Sequence, residues 1–453
     1  MNRSAQETVA TAVERVDAAV ARIDVENCST HVFIATCPDA AREAALSADR
    51  RSEQGRRIGP LDGCIVGIKD NLAVRGLPWT LGFGCFHERV AEHDAQVVRQ
   101  LRDAGAIILG TLNMHEGALG GTSDNPHFGA CQNPLQNGLT PGGSSGGAGA
   151  AIASGLVELA LGSDTMGSIR LPAAYCGVVG MKPSFGVIGR SGMGLLCPAL
   201  DTIGPLCRSA QELWPVFQVL CGDDAQDPDW LGAAALAASE AIAQAAPTEL
   251  AGLRFGVPRQ LAMLEYDEPV WATFQDARRR LVAAGATLVD VDVNGWEPNA
   301  QRRAGLLLIE AQAAALWPQL MAADREGVSD GFKLMLRYGR DASSAKLTAA
   351  LHSVRHARAA FARAITGLDA IIMPSAPQLP FTHGTPAPVN QADLTALANF
   401  ADAPAISLPL WRDDEPLPGS VQLLGARGCD VDLIAIAALV EAQLPARAHA
   451  VGE

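Results

Sequence analysis

The chain has 453 residues, 48% hydrophobic and 19% charged. It is long enough to bury a large core without disulfides or a structural metal, so it belongs neither with disordered chains nor with small stapled ones. Its 35 basic and 49 acidic side chains leave a net charge of −14. That argues against a nucleic-acid partner, which needs a basic field, and against an anionic membrane surface.

Taken in chain order, residues 5–22 have apolar spacing near the helical period and read as a helix, as do residues 38–54. Cys64–Ile68 is a short apolar run bounded by Gly63 and Lys69 and reads as a buried strand. Residues 93–104 read as a helix with Val97, Val98 and Leu101 on one face, followed by a strand at Ala106–Leu109. Gly146–Gly155 reads as a helix of small residues and Val157–Leu161 as a strand. After Cys207 comes a helix-rich half. Strands are expected at Leu253–Val257, Thr287–Val293, Ala370–Met373, Ala405–Leu408 and Val421–Leu424, and helices at 269–284, 303–322, 344–366 and 430–444. Short apolar strands alternating with helices indicate an α/β sandwich with a parallel or mixed central sheet. The Pro-rich stretch 374–388 reads as a surface loop at the rim of a cleft. No stretch of about 18 apolar residues suggests a spanning helix. The first ten residues have no apolar core of a signal peptide, and the ten cysteines have no framework spacing; a cytoplasmic protein with reduced thiols is the expectation.

Two residue counts narrow the search for chemistry. Of 45 glycines, 19 lie between Gly117 and Gly194, so one segment needs unusual backbone. Only four of the basic residues are lysines: Lys69, Lys182, Lys333 and Lys346. Arginine cannot serve as a base, whereas a buried lysine can lose its proton, so each surviving lysine is a candidate for that role.

The densest signal is Thr140-Pro141-Gly142-Gly143-Ser144-Ser145-Gly146-Gly147, at the mouth of a helix. It is open to three readings. A phosphate cradle is one, although no Gly-Lys-Ser/Thr follows. A nucleophile elbow is another, since Gly142–Gly146 satisfies GxSxG; it needs an acid and then a histidine downstream. A serine network of another kind is the third. Ser168 follows Ser144 by 24 residues, in Gly162-Ser163-Asp164-Thr165-Met166-Gly167-Ser168, directly after a buried strand. The backbone N–H groups of Thr165, Met166, Gly167 and Ser168 could converge there as an oxyanion hole.

These motifs resemble the amidase signature family of serine hydrolases. The similarity extends over Gly59–Gly63, Ile68-Lys69-Asp70-Asn71, Gly110–Glu116, Asn133-Pro134, the Gly-Ser block, Cys176–Pro183 and Asp201–Pro205, and returns at Pro404–Ser407 and Val421–Leu424. Residues 210–395 match only loosely. The resemblance implies one large amidase-signature α/β/α sandwich over 1–453: a signature core at 60–210, a variable substrate-pocket region at 210–395 and a C-terminal return at 396–453. It implies that Ser168 is the nucleophile, Ser144 a relay preceded by a cis peptide bond, and Lys69 the terminal base, neutral because burial lowers its pKa. Neither cofactor nor metal is implied. His352 and His356, four apart on one helix, lack a third ligand nearby and read as a solvated face.

The expected activity is hydrolysis of a small carboxamide or ureido compound through an acyl-enzyme. The expected partners are that small molecule and either a second copy of the chain or a small partner subunit. Two alternatives stand beside it: the glutaminase subunit of a tRNA-dependent amidotransferase, and a non-catalytic scaffold subunit. Such glutaminase subunits usually carry Ser-Leu-Asp-Gln where this chain has Ala199-Leu200-Asp201-Thr202. The family usually has glycine where Met166 stands; a methionine there needs φ < 0 or a strained turn, and its side chain in the pocket implies a small or flat acyl group. Ser145 and Asp164 are expected to support turns. Arg170 is expected to be structural, or else to bind a substrate carboxylate; Lys182, His115 and Glu116 are expected to be scaffold.

Overall fold

The computed structural model describes residues 10–232, 247–412 and 415–445. Its strands in chain order are β1 (Phe33–Thr36), β2 (Ile65–Lys69), β3 (Ile107–Leu112), β4 (Asp124–Asn125), β5 (Gly129–Ala130), β6 (Leu159–Asp164), β7 (Val179–Lys182), β8 (Thr202–Cys207), β9 (Arg254–Pro258), β10 (Thr287–Val291), β11 (Ala370–Pro374), β12 (Ala405–Leu410) and β13 (Gly419–Leu424). Eleven of them form one sheet in the order β1-β3-β2-β6-β8-β7-β12-β13-β11-β9-β10, while β4 and β5 make a separate hairpin. β3, β2 and β6 run parallel, as do β11, β9 and β10; the pairs between these two blocks are antiparallel. The sheet is therefore mixed, as the sequence implies.

Alternation along the strands creates two cores. Ile65, Ile107, Leu109 and Ala160 face the helices Ala12–Thr30, Pro38–Glu53 and Gly146–Ala153. Val66, Ile68, Ile108, Leu159 and Leu161 face the other way, into the core built with Gln96–Asp103 and Leu213–Leu220. Strands buried on both faces read as continuous apolar runs, which makes them legible in the sequence. The same alternation places Lys69 on the Ile65 side, toward the helix that begins just after Ser144.

Several expectations shift in detail. The first helix starts at Ala12, where Thr11 and Glu14 make a reciprocal capping box, and runs to Thr30; residues 5–9 of the expected span lie outside the described residues. The expected helix at 303–322 is Pro298–Leu316 followed by a 3-10 turn at Pro318–Met321. Strands β1, β4, β5, β7 and β8 are additions to the expected set. In β8 the pair Gly204-Pro205 disguises a central strand, since proline cannot donate to a ladder. The helix Arg170–Cys176 is also an addition: all seven residues are buried, so it has no amphipathic period. Asp330–Arg340 does carry a readable signal, the Ser329 cap whose hydroxyl accepts from Phe332 N. Among the described residues, no helix is long and apolar enough to cross a membrane.

Candidate active site

Lys69 ends β2 and Ser163 and Asp164 end the parallel neighbour β6, so the carboxyl ends of adjacent strands meet. In α/β sheets this is where ligands bind. Lys69 is fully buried, and its Nζ lies 2.8 Å from Ser144 Oγ and 2.8 Å from Ser163 Oγ. Asn71 Nδ2 donates to the same Ser163 hydroxyl at 3.0 Å, which fixes its orientation. Burial lowers the Lys69 pKa from 10.5 to about 7, against the opposing charges of Asp201 and Asp164. Asp70 points away, as strand alternation requires. It accepts from Thr80 N, Thr80 Oγ1 and Gly82 N, and its own pKa is raised by burial to about 7.

The Gly-Ser block is shaped by close packing. The Gly143–Ser144 peptide is cis. A Cβ on Gly143 would stand 2.7 Å from the backbone of Gly121 and Thr122, so no larger residue fits. Gly146 N donates to Ser123 Oγ and Gly147 N to Asn113 O. With these amides engaged, the helix start is not a phosphate cradle. The elbow reading falls too, because Ser144 Oγ is partnered by a lysine and, among the described residues, by no histidine. Ser145 supports the turn, exchanging hydrogen bonds with Ser163 through its hydroxyl.

Ser168 lies in the wall of a cavity of about 240 Å³, together with Gly143, Thr165 and Met166. Its carbonyl accepts from Ser145 N, which brings it beside the block. Among the described residues its hydroxyl makes no hydrogen bond; such contacts often tighten only in the substrate complex. The donor set differs from the expectation at one position. Gly167 N–H donates to Asp164 Oδ1 at 2.6 Å and so does not serve an oxyanion. Gly167 is needed for shape instead: its φ is +128°, and a Cβ would lie 2.3 Å from Thr395 Oγ1. The amides of Thr165, Met166 and Ser168 have no protein acceptor among the described residues. Met166 is not among the residues with positive φ. Its sulfur rests against Gly305, where an added Cβ would come within 2.8 Å, and its carbonyl accepts from Thr395 Oγ1 at 2.7 Å.

Asp164 holds the turn together. Besides Gly167 it accepts from Ile169 N, from Arg170 Nε and Nη2, and from Asn399 Nδ2. Burial raises its pKa, but the Arg170 charge and hydrogen bonds outweigh that and leave it at about 2. Arg170 is itself fully buried and also donates to Gln422 and Asn399. It is structural and unavailable to a substrate carboxylate. Lys182 is likewise buried, donating to Pro183 O at 2.6 Å. Glu116 braces Ser329 and pairs with His127 at 2.8 Å, and half-buried His115 meets Thr122 Oγ1. His352 and His356 are exposed, and no metal-holding cluster occurs among the described residues. The loop after Pro374 does reach the cleft rim, with Pro388, Val389, Gln391 and Ala392 in the cavity wall.

The structure adds Ser163, Asn71 and Asp201 to the network that sequence reasoning assembles. Asp201 accepts from Thr165 Oγ1 at 2.6 Å and from the amides of Leu196 and Cys197. Each stands inside or beside a signature motif, but a serine at a strand end or an aspartate in a turn has no distinguishing pattern of its own.

With this geometry in place, the chain belongs to the Amidase family, whose model matches residues 14–434. It is an enzyme of amide C–N bond cleavage. A glutamyl-tRNA(Gln) amidotransferase subunit of Anaeromyxobacter dehalogenans (strain 2CP-C) is 33% identical, over 95% of this chain and 92% of its own length. The Thermotoga maritima subunit of the same name superposes with TM-score 0.78 at 25% identity, covering 95% of this chain and 92% of that one. A chain solved for an unexpected vestigial protein complex, which reveals the evolutionary origins of an s-triazine catabolic enzyme, superposes with TM-score 0.85 at 28% identity, covering 95% and 94%.

Proposed function

We propose that Ser168 is the nucleophile of an amide-cleaving acyl-enzyme mechanism, with Ser144 as relay and Lys69 as base. The observation that carries this reading is the buried Lys69 Nζ at 2.8 Å from Ser144 Oγ, beside a cavity that Ser168 lines. Neutral Lys69 takes the Ser144 proton as Ser144 takes that of Ser168. Ser168 Oγ then attacks the carbonyl carbon. The N–H groups of Thr165, Met166 and Ser168 receive the oxyanion. The protonated relay returns a proton to the leaving nitrogen, the C–N bond breaks, and water hydrolyses the ester by the same relay. A fluorophosphonate should label the protein at Ser168 and fail on Ser168→Ala. Labelling that survives this substitution overturns the assignment.

The amidotransferase reading fits the relatives better than a free-standing amidase does, because the Anaeromyxobacter chain aligns over 95% of this one. On that reading the substrate is glutamine, ammonia is the product, and further subunits receive it. Ala199 and Thr202, at the positions where such subunits usually carry serine and glutamine, separate this chain from them. Glutamine hydrolysis by the isolated chain, measured against simple carboxamides and repeated with proteins that co-purify, decides between the two. A cytoplasmic location accords with ten cysteines that are all free.

A further inference from the structure

The cavity beside Ser168 is mostly apolar, walled by residues such as Leu171, Leu196, Leu306, Ile309 and Met335. Among the described residues Arg302 is the one charged side chain in that wall. It sits on the helix Pro298–Leu316, one turn before the Gly305 against which Met166 rests. Its Nε donates to Asp393 Oδ1 at 2.6 Å, with both side chains largely buried. Its two terminal nitrogens have no protein acceptor among the described residues, nor are they sealed in as orphaned donors. Arg302 thus lines the cavity with two donors to spare.

An arginine kept only to neutralise Asp393 would present its fork to both carboxylate oxygens, as Arg51 does toward Asp62 with Nε and Nη2. Arg302 instead uses one nitrogen on the aspartate. Its remaining edge is a planar pair of donors, suited to a second carboxylate. Asp393 meanwhile balances its charge, so the empty cavity bears no uncompensated cation.

From this geometry we infer that Arg302 selects amides whose acyl portion carries a carboxylate, the monoamides of short dicarboxylic acids being the chemical class. The inference rests on the Ser168 reading for which carbonyl is attacked. It takes over the carboxylate-binding role that Arg170, engaged by four side-chain hydrogen bonds, does not fill. Glutamine falls within this class, since its side-chain amide is separated by a short chain from a carboxylate. Neutral aliphatic and aryl amides fall outside it.

The test measures how succinate, glutarate and adipate slow fluorophosphonate labelling of Ser168, against the neutral butanamide, pentanamide and hexanamide of matching length. The dicarboxylates should protect, and the preference should fall on the order of 100-fold in Arg302→Met. Labelling without competitor is recorded for each variant as the reference from which its protection is counted. Because Arg302→Met strands Asp393, the double variant Arg302→Met/Asp393→Asn is measured beside it, and Arg302→Lys should retain part of the preference. Equal protection by the dicarboxylates and the neutral amides in the natural protein, or a preference that survives in the double variant, overturns the inference. Absence of Ser168 labelling overturns the catalytic reading instead. In that event the thermal shift given by glutarate, and its loss in Arg302→Met, still decides the role of Arg302.

Discussion

Replacing Lys69 by methionine tests the electrostatics of the site and its chemistry together. In the unfolded chain this lysine titrates near its ordinary 10.5, whereas in the fold burial brings it to about 7. At ~1.4 kcal/mol per pKa unit, the fold carries a burden of about 5 kcal/mol at neutral pH and below. Between pH 10.5 and about 7 the unfolded chain binds a proton that the folded chain lacks. Stability therefore rises with pH across that window, by ~1.4 kcal/mol per unit, and this contribution is flat below it. Lys69→Met removes the burden together with the contacts to Ser144 and Ser163, each worth about 1 kcal/mol. The variant should be more stable than the natural protein by about 3 kcal/mol at pH 7, with that margin shrinking by about 2 kcal/mol by pH 9. Urea unfolding at the two pH values measures this. Fluorophosphonate labelling of the natural protein should accelerate as pH rises through about 7, and in the variant it should fall by about 100- to 10,000-fold. A variant that loses stability by the same amount at every pH refutes the buried neutral lysine. One that keeps the natural labelling rate and pH profile refutes its role as base.

Ser144→Ala should slow labelling of Ser168 by at least about 100-fold while leaving the melting temperature within a few degrees, because the fold keeps Ser168 and loses only the relay. Ser163→Ala should lower kcat by about tenfold with KM unchanged, since its hydroxyl orients Lys69 and is itself held by Asn71; an altered KM with unchanged kcat contradicts this. Met166→Gly should extend turnover to bulkier acyl groups by opening the space between the turn and Gly305, checked by the ratio of kcat/KM for branched and linear amides. Arg170→Met should destabilise the protein by about 3–5 kcal/mol, because it strands the buried Asp164. A loss of less than about 1 kcal/mol in chemical denaturation would show that the pair is dispensable.

Lys69 and Ser144 are legible because rarity and crowding are visible in one dimension: four lysines in the chain, and a block of glycines around two serines. Gly167 shows the limit of that approach. Its amide looks free in the sequence, and only the folded turn reveals that Asp164, three residues back, captures it. The two arginines show the same limit from the other side. Arg170 lies in the signature run and draws attention, yet it is sealed in the core. Arg302 lies in a helix that reads only as a helix, and nothing in its period tells which face meets a cavity built from residues as distant as Leu119 and Gln391. Sheet position is hidden for a related reason. β7 is short and carries a glycine, and β8 is interrupted by Gly204-Pro205; they become strands through pairing with β6 and β12 rather than through their own propensity.

On the proposed reading, chemistry and selectivity are carried by different parts of the chain, and the hydrogen bonds explain how they can vary apart. The proposed base, relay and nucleophile all come from residues 69–168, at the carboxyl ends of β2 and β6 and in the turns next to them. The turn that bears Ser168 is nevertheless clamped from the far end of the chain. Asn399 holds Asp164, Gln422 of β13 holds Arg170, and Thr395 holds the Met166 carbonyl. These three clamps bond to backbone or to buried charge, so they set the position of the donors without touching the substrate. Arg302, Leu306, Ile309 and Met335 contribute wall and no clamp to that turn. Substitutions there change what fits beside Ser168 while the donors stay fixed, whereas a change at Asn399 or Gln422 loosens the turn for every substrate alike. Asn399→Ala should accordingly depress kcat by a similar factor across an amide series, and Arg302→Met should reorder the series; the opposite pattern would place selectivity in the clamp rather than in the wall.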